Sequence, residues 1–146
     1  MNDLHVLCKV ADADYVVSAA DVLQMESFSG ATKVPGASAE VAGLVQIRGK
    51  VIPVLDLRIL FGLPAKEPTL DSRVVVTSQG ERTVGLLVDS AREVLKIPPE
   101  EFKPPPSVVA HQTEGLVKGV AQIGTRLLML VDLAKVIGGE HVNGDE

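Results

Sequence analysis

Two stretches of this chain align without a gap. Gly43 to Gly62, GLVQIRGKVIPVLDLRILFG, lies on Gly119 to Gly138, GVAQIGTRLLMLVDLAKVIG, at an offset of 76. Gly43/Gly119, Gln46/Gln122, Ile47/Ile123, Asp56/Asp132, Leu57/Leu133 and Gly62/Gly138 are identical, and most other pairs are apolar on apolar. Each copy reads as a strand, a tight turn, a strand and a short helical turn. Upstream, VLCKVADADYVV from Val6 parallels VVVTSQGERTVG from Val74, two strands about a polar turn. Two copies are too few for a solenoid, so the duplication predicts a pseudo-symmetric pair of small barrels.

The rest of the pattern agrees. Valine and isoleucine together outnumber leucine, and the 13 Gly and 9 Pro fall between short apolar runs, the mark of a β-rich chain. Strands are expected at 4–10, 14–17, 23–29, 43–47, 50–55, 73–78, 83–88, 93–97, 117–123 and 126–131. Arg48-Gly49, Gln79-Gly80 and Gly124-Thr125 are the hairpin turns, with glycine supplying the positive φ. Helical turns are expected at 19–22, 57–61 and 133–137. The last two follow Asp56 and Asp132, whose carboxylates can accept from first-turn amides. With 146 residues and 46% hydrophobic content, the chain reads as one body, 1–146. Its approximate subdomains are 14–66 and 71–131, completed by the N-terminal strand and the C-terminal helical turn. The break falls at Leu63–Asp71, where two prolines interrupt the periodicity.

Little of the sequence points to chemistry. His5, His111 and His141 are far apart and the single cysteine, Cys8, sits in an apolar alternation, so no metal-ligand spacing arises and Cys8 reads as a small buried hydrophobe. No nucleophile elbow, GxGxxG or GxxxxGK string occurs. Asp56, Asp89 and Asp132 each follow an apolar strand, where catalytic acids can sit, but two of them stand where a cap is needed. A net charge of −5 and four aromatics, Tyr15, Phe28, Phe61 and Phe102, with mostly apolar neighbours argue against a nucleic-acid platform. A small barrel that binds a ligand or an oligonucleotide is the alternative reading. Lys103-Pro104-Pro105-Pro106 reads as a stiff connector, or else as a polyproline ligand for a partner groove. No apolar run reaches the roughly 20 residues of a membrane helix, and Asp3, His5 and Lys9 interrupt the N-terminus, so a cytoplasmic protein is expected. What remains is surface binding, with Arg48 presented at a hairpin tip, an interface anchor or a plain exposed or ion-paired arginine.

These residues resemble the CheW-like coupling proteins of bacterial chemotaxis arrays. GLVQIRGKVIPVLDLRILFG is similar to the family segment with a Gly-Val-Asn-Leu-Arg-Gly opening and a Val-Pro-Ile-Val-Asp-Leu-Arg centre. TVGLLVDSAREVLKIPPEEFKPPP resembles its Val-Gly-Ile-Val-Val-Asp strand, Val-Leu step and proline-containing linker, and GLVKGVAQIGTRLLMLVDLAKVI its closing segment. The resemblance implies an all-β fold with short helices, two five-stranded SH3-like barrels around a shared hydrophobic core. It implies no catalysis, no metal and no cofactor. Instead it implies an adaptor between the cytoplasmic tip of a methyl-accepting chemoreceptor and the regulatory domain of a CheA-like histidine kinase, with other CheW-like domains as ring partners. The protein would be recruited to membrane-associated receptor arrays without inserting in the membrane.

By the same resemblance, Arg48 falls on the motif arginine, and Gly43 and Val22 fall on positions tied to receptor coupling. Val94 and Leu95 match a strand lining the receptor groove. The kinase-facing surface is expected on the first barrel at Lys50, Val51, Ile52 and Val54. Two departures stand out. The family's glutamate two residues after that valine is here Gln24, counted with the receptor-facing set, and its Asn-Leu is here Gln46-Ile47. An ion-pair partner for Arg48 must therefore come from elsewhere. No receiver or kinase module can be read in the sequence given, so a stand-alone adaptor is expected, with a domain of a larger kinase or receiver fusion as the alternative.

Overall fold

The chain reverses where glycine or another left-handed residue permits it. In the computed structural model, which describes residues 3–138, Arg48 and Gly49 have φ of 53° and 80°, Gly80 60° and Gly124 63°. The strands between these turns are β1 (Leu4–Val10), β2 (Ala13–Ser18), β3 (Val22–Ser27), β4 (Val41–Ile47), β5 (Lys50–Asp56), β6 (Arg73–Gln79), β7 (Arg82–Val88), β8 (Ser90–Lys96), β9 (Val117–Ile123) and β10 (Arg126–Val131). Three short helices, α1 (Leu57–Leu60), α2 (Ser107–Gln112) and α3 (Leu133–Ile137), and 3₁₀ turns at Ala19–Asp21 and Pro99–Glu101 complete the described elements. The turn between β6 and β7 lies one residue later than expected, at Gly80 and Glu81, because Gln79 still pairs with Arg82.

The fold is mainly β, in two five-stranded sheets. Sheet A runs β8-β1-β2-β10-β9 and sheet B runs β3-β6-β7-β5-β4. Both have antiparallel neighbours except at one internal parallel step, β10 with β2 and β5 with β7. The sheets cut across the two halves of the chain and across the segments 14–66 and 71–131. Sheet A takes β1 and β2 from the first half and β8, β9 and β10 from the second, while sheet B takes the complement. Each half therefore contributes strands to both sheets, and neither sheet can form from one half alone.

Register shows how far the duplication reaches. Leu7 opposes Val16 as Val76 opposes Gly85, and Cys8 opposes Ala91 as Thr77 opposes Val22. The first three strands of the halves are thus related by an offset of 69, one residue from the 68 that the apolar pattern implies. The last two keep 76: the bulge that skips Ala42 recurs at Lys118, and the backbone bridge of Thr32 to Leu44 recurs as Lys103 to Val120. The difference of seven is taken up between β8 and β9, in the connector that holds α2.

Burial follows from this double layering. Val6, Cys8, Tyr15, Val17, Leu55, Val75, Val84, Leu86, Val117, Val131 and Ile137, from both sheets and α3, form one shared core. Residues of opposite parity form a separate cluster for each sheet, Leu7, Val16, Ile97, Ala121 and Leu128 in one and Ile52, Val54, Val74 and Val76 in the other. A sheet buried on both faces needs continuous apolar runs, which is why β1 and β6 show little alternation. Cys8 is fully buried and desolvation pushes its thiol up to about 12, so it behaves as a hydrophobe.

Candidate partner-binding surfaces

Of the three aspartates that follow apolar strands, Asp56 and Asp132 are helix caps. A carboxylate oxygen of Asp56 accepts from the Arg58 amide at 2.9 Å, and one of Asp132 accepts from the Lys135 amide at 3.2 Å. Burial raises the Asp56 carboxyl above its ordinary range, opposed by the amides of Arg58 and Ile59 and by the Arg58 charge. The aromatics form no stacking platform either. Tyr15 and Phe61 are buried and stack on each other at 4.7 Å, Phe102 tilts against the buried His5 ring, and Phe28 is half-buried. Among the described residues no group of three His, Cys, Asp or Glu side chains is placed to hold a metal.

Four of the six residues expected at a receptor surface lie on sheet B. Gln24, Val76, Gly85, Val54 and Gly43 form one row across its five strands, from edge strand β3 to edge strand β4. Val22 is half-buried against the shared core, and Arg48 stands exposed at the β4–β5 tip. Among the described residues Arg48 makes no ion pair. The Gln24 amide donates to Glu26. Gly43 has its own structural reason: its φ is +143°, and a Cβ there would lie 2.4 Å from the Thr32 carbonyl oxygen. The close approach lets the 28–40 connector bridge the edge of β4.

Val94 and Leu95 lie on sheet A, on edge strand β8. Val94 pairs with Val6, a shared-core residue, and is 54% exposed, whereas Leu95 pairs with His5 and packs toward the interior cluster of its own sheet. Strand β8 comes against β6, the strand that carries β3. Val22 and Val94 therefore border the shared core from different sheets.

Two apolar residues belong to this border that sequence reasoning missed. Leu23 is 59% and Met25 41% exposed, while Gln24 and Glu26 between and after them are half-buried. Strand β3 is inverted, with apolar side chains outward and polar ones partly covered, which is the distribution of a surface that meets a partner. The alternation Leu-Gln-Met-Glu was its signal in the sequence, but it does not say which parity faces out.

On β5 the expected kinase-facing residues divide. Lys50 is exposed and Val51 is 64% exposed, but Ile52 and Val54 are buried in the sheet B cluster. As side chains they can support that face only from within. Val51 has a counterpart in the second half, Leu127, 61% exposed at the equivalent position. Each half thus shows one apolar side chain on the outer face of its second hairpin.

A family model described as the CheW-like domain matches residues 4–141. The chain is similar to the chemotaxis protein CheW of Rhizobium meliloti (strain 1021), 31% identical over 133 residues, 91% of this chain and 86% of that protein. It is also similar to the chemotaxis protein CheW of Bacillus subtilis (strain 168), 29% identical over 135 residues, 92% and 86% of the two chains. Among solved structures, the scaffolding protein TtCheW from Thermoanaerobacter tengcongensis superposes with a TM-score of 0.81 at 28% identity, over 91% of this chain and 86% of that one. The duplication, the paired five-stranded sheets and a family match over nearly the whole length agree: the chain belongs to the CheW-like family.

Proposed function

We propose that the protein is a non-catalytic adaptor that couples chemoreceptors to a CheA-type histidine kinase in chemotaxis or a chemotaxis-like pathway. The observation that carries this reading is the CheW-like match over residues 4–141, and the placement of apolar side chains supports it. One surface, made of Val22, Leu23, Met25 and Arg48 on sheet B and Val94 on sheet A, faces the receptor tip. A second, on the outer face of β4 and β5 around Lys50 and Val51, faces the kinase regulatory domain, and the protein acts by holding the two together. No described helix is long and apolar enough to cross a membrane, which suits recruitment to receptor arrays through protein contacts. Small apolar patches with polar rims fit contacts of micromolar strength.

Pull-down of the protein with a receptor cytoplasmic fragment and with a kinase regulatory domain from the same cell tests this. Wild type is expected to bind both, and Arg48→Glu to lose the receptor fragment alone. Binding to neither overturns the reading, and binding of a single-stranded oligonucleotide at low salt would favour a ligand-binding barrel instead.

A further inference from the structure

The chain crosses from sheet B to sheet A between β7 and β8, and Asp89 is the residue at the crossing. Its carboxylate takes both arms of Arg58, Nε to Oδ1 at 3.0 Å and Nη2 to Oδ2 at 2.8 Å, and Oδ2 also accepts from the Ala11 amide at 2.8 Å. The Asp89 amide donates to the Lys9 carbonyl at 2.9 Å. Arg58 belongs to α1, continuous with β5 of sheet B, whereas Lys9 and Ala11 belong to the end of β1 and the β1–β2 turn of sheet A. One mostly buried carboxylate is therefore gripped from both sheets at once. Bidentate charge-assisted geometry of this kind fixes orientation as well as distance.

The duplication supplies an internal control. The reverse crossing, from β2 of sheet A to β3 of sheet B, is the pseudo-equivalent of this one. At the offsets of 69 and 76 its counterparts of Asp89 and Arg58 are Ala20 and Ala134. The fold makes that crossing with a short 3₁₀ turn capped by Ser18 and without an ion pair at these positions. The architecture as such does not need the clamp. We propose that Asp89 and Arg58 are positioning residues that fix sheet A against sheet B, so that the receptor surface assembled from both sheets is preformed. The inference rests on the adaptor reading for which surface is affected. A face that spans Leu23, Met25 and Arg48 on one sheet and Val94 on the other depends on how the sheets sit, and a face confined to β4 and β5 does not.

The double variant Arg58→Ala/Asp89→Ala copies the other crossing and is expected to fold, with unchanged circular dichroism. Its affinity for a receptor cytoplasmic fragment is expected to fall about tenfold, the size of a typical coupling between elements, while affinity for the kinase regulatory domain stays within about twofold. Arg58→Lys, which keeps the charge and loses the fork, is expected to fall between wild type and the double variant. Equal losses for both partners, or no loss for either, overturn the proposal. A second measurement needs no partner. Spin labels at Leu23→Cys and Val94→Cys, with buried Cys8 unreactive, report the distance between sheets, expected to be narrow in wild type and broad in the double variant. An unchanged distribution overturns the clamp. If wild type binds neither fragment, the adaptor reading fails, and this distance alone decides whether the clamp positions the sheets.

Discussion

At the scale of single residues, what looks alike in the two halves is held for different reasons. Gly43 and Gly119 are identical in the repeat, but only Gly43 has a positive φ and a backbone oxygen where a Cβ would go; the Cβ of a residue at 119 would meet its nearest atom at 3.5 Å. Gly43→Ala is therefore expected to cost about 1–3 kcal/mol and Gly119→Ala clearly less, measured by urea unfolding of the two variants. A loss of receptor binding in Gly43→Ala would then be read against its stability before Gly43 is assigned a contact. Asp89 gives a pH signature. Burial tends to raise its carboxyl, but the Arg58 guanidinium and the Ala11 amide outweigh that and hold it below the ordinary carboxylate range. A depressed folded value means stability present above the unfolded pKa and lost as pH falls through the folded one. Asp56, raised by burial, works with the opposite sign and loses its contribution as pH rises. Urea midpoints followed from pH 7 to pH 3 are expected to fall less steeply on the acid side in Arg58→Ala than in wild type. Parallel curves would show that the pair carries no such stability.

At the scale of elements, the sequence made the strands plain and left their pairing open. Ten apolar runs bounded by glycine, proline and polar turns lie within a few residues of the ten observed strands, since a short run between good turn residues has few other ways to fold. The capped turns at Asp56 and Asp132 were equally legible, because an aspartate just before a short helical turn satisfies an amide that would otherwise lack a partner. Exchange of strands between the sheets was not, because pairing is decided by contacts far apart in sequence. The offset that relates the first three strands of the two halves differs by one residue from the apolar pattern for a related reason. A sheet buried on both faces has apolar residues at both parities, and the alternation that normally fixes register is missing. Helix α2 was hidden by the prolines before it, though Pro106 stands at its N-terminal boundary and Val109 packs against the shared core. The β4–β5 hairpin makes its own prediction. Arg48 holds a left-handed φ of 53° where the second half has Gly124, a conformation that costs an arginine energy. Arg48→Gly is expected to be neutral to about 1 kcal/mol more stable by thermal unfolding, yet to lose receptor binding. A variant that is both less stable and still binds would show that Arg48 serves the turn rather than the partner.

At the scale of the whole molecule, the intertwined halves bear on how so small a body would present the two proposed surfaces. The shared core ties the sheets together, the edge strands β3 and β8 border it, and the outer face of β4 and β5 lies on sheet B alone. The family resemblance put its candidate contacts on these strands; in the structure Ile52 and Val54 are buried, whereas Leu23 and Met25, which no motif marks, are exposed. The account makes coupling a matter of holding two partners at once. The direct test immobilises a receptor cytoplasmic fragment and asks whether it retains a kinase regulatory domain only when this protein is present. Retention that depends on the protein, lost in Arg48→Glu through the receptor side and in Val51→Glu through the kinase side, is the predicted result. Two partners that compete for the protein, so that either displaces the other, would contradict it.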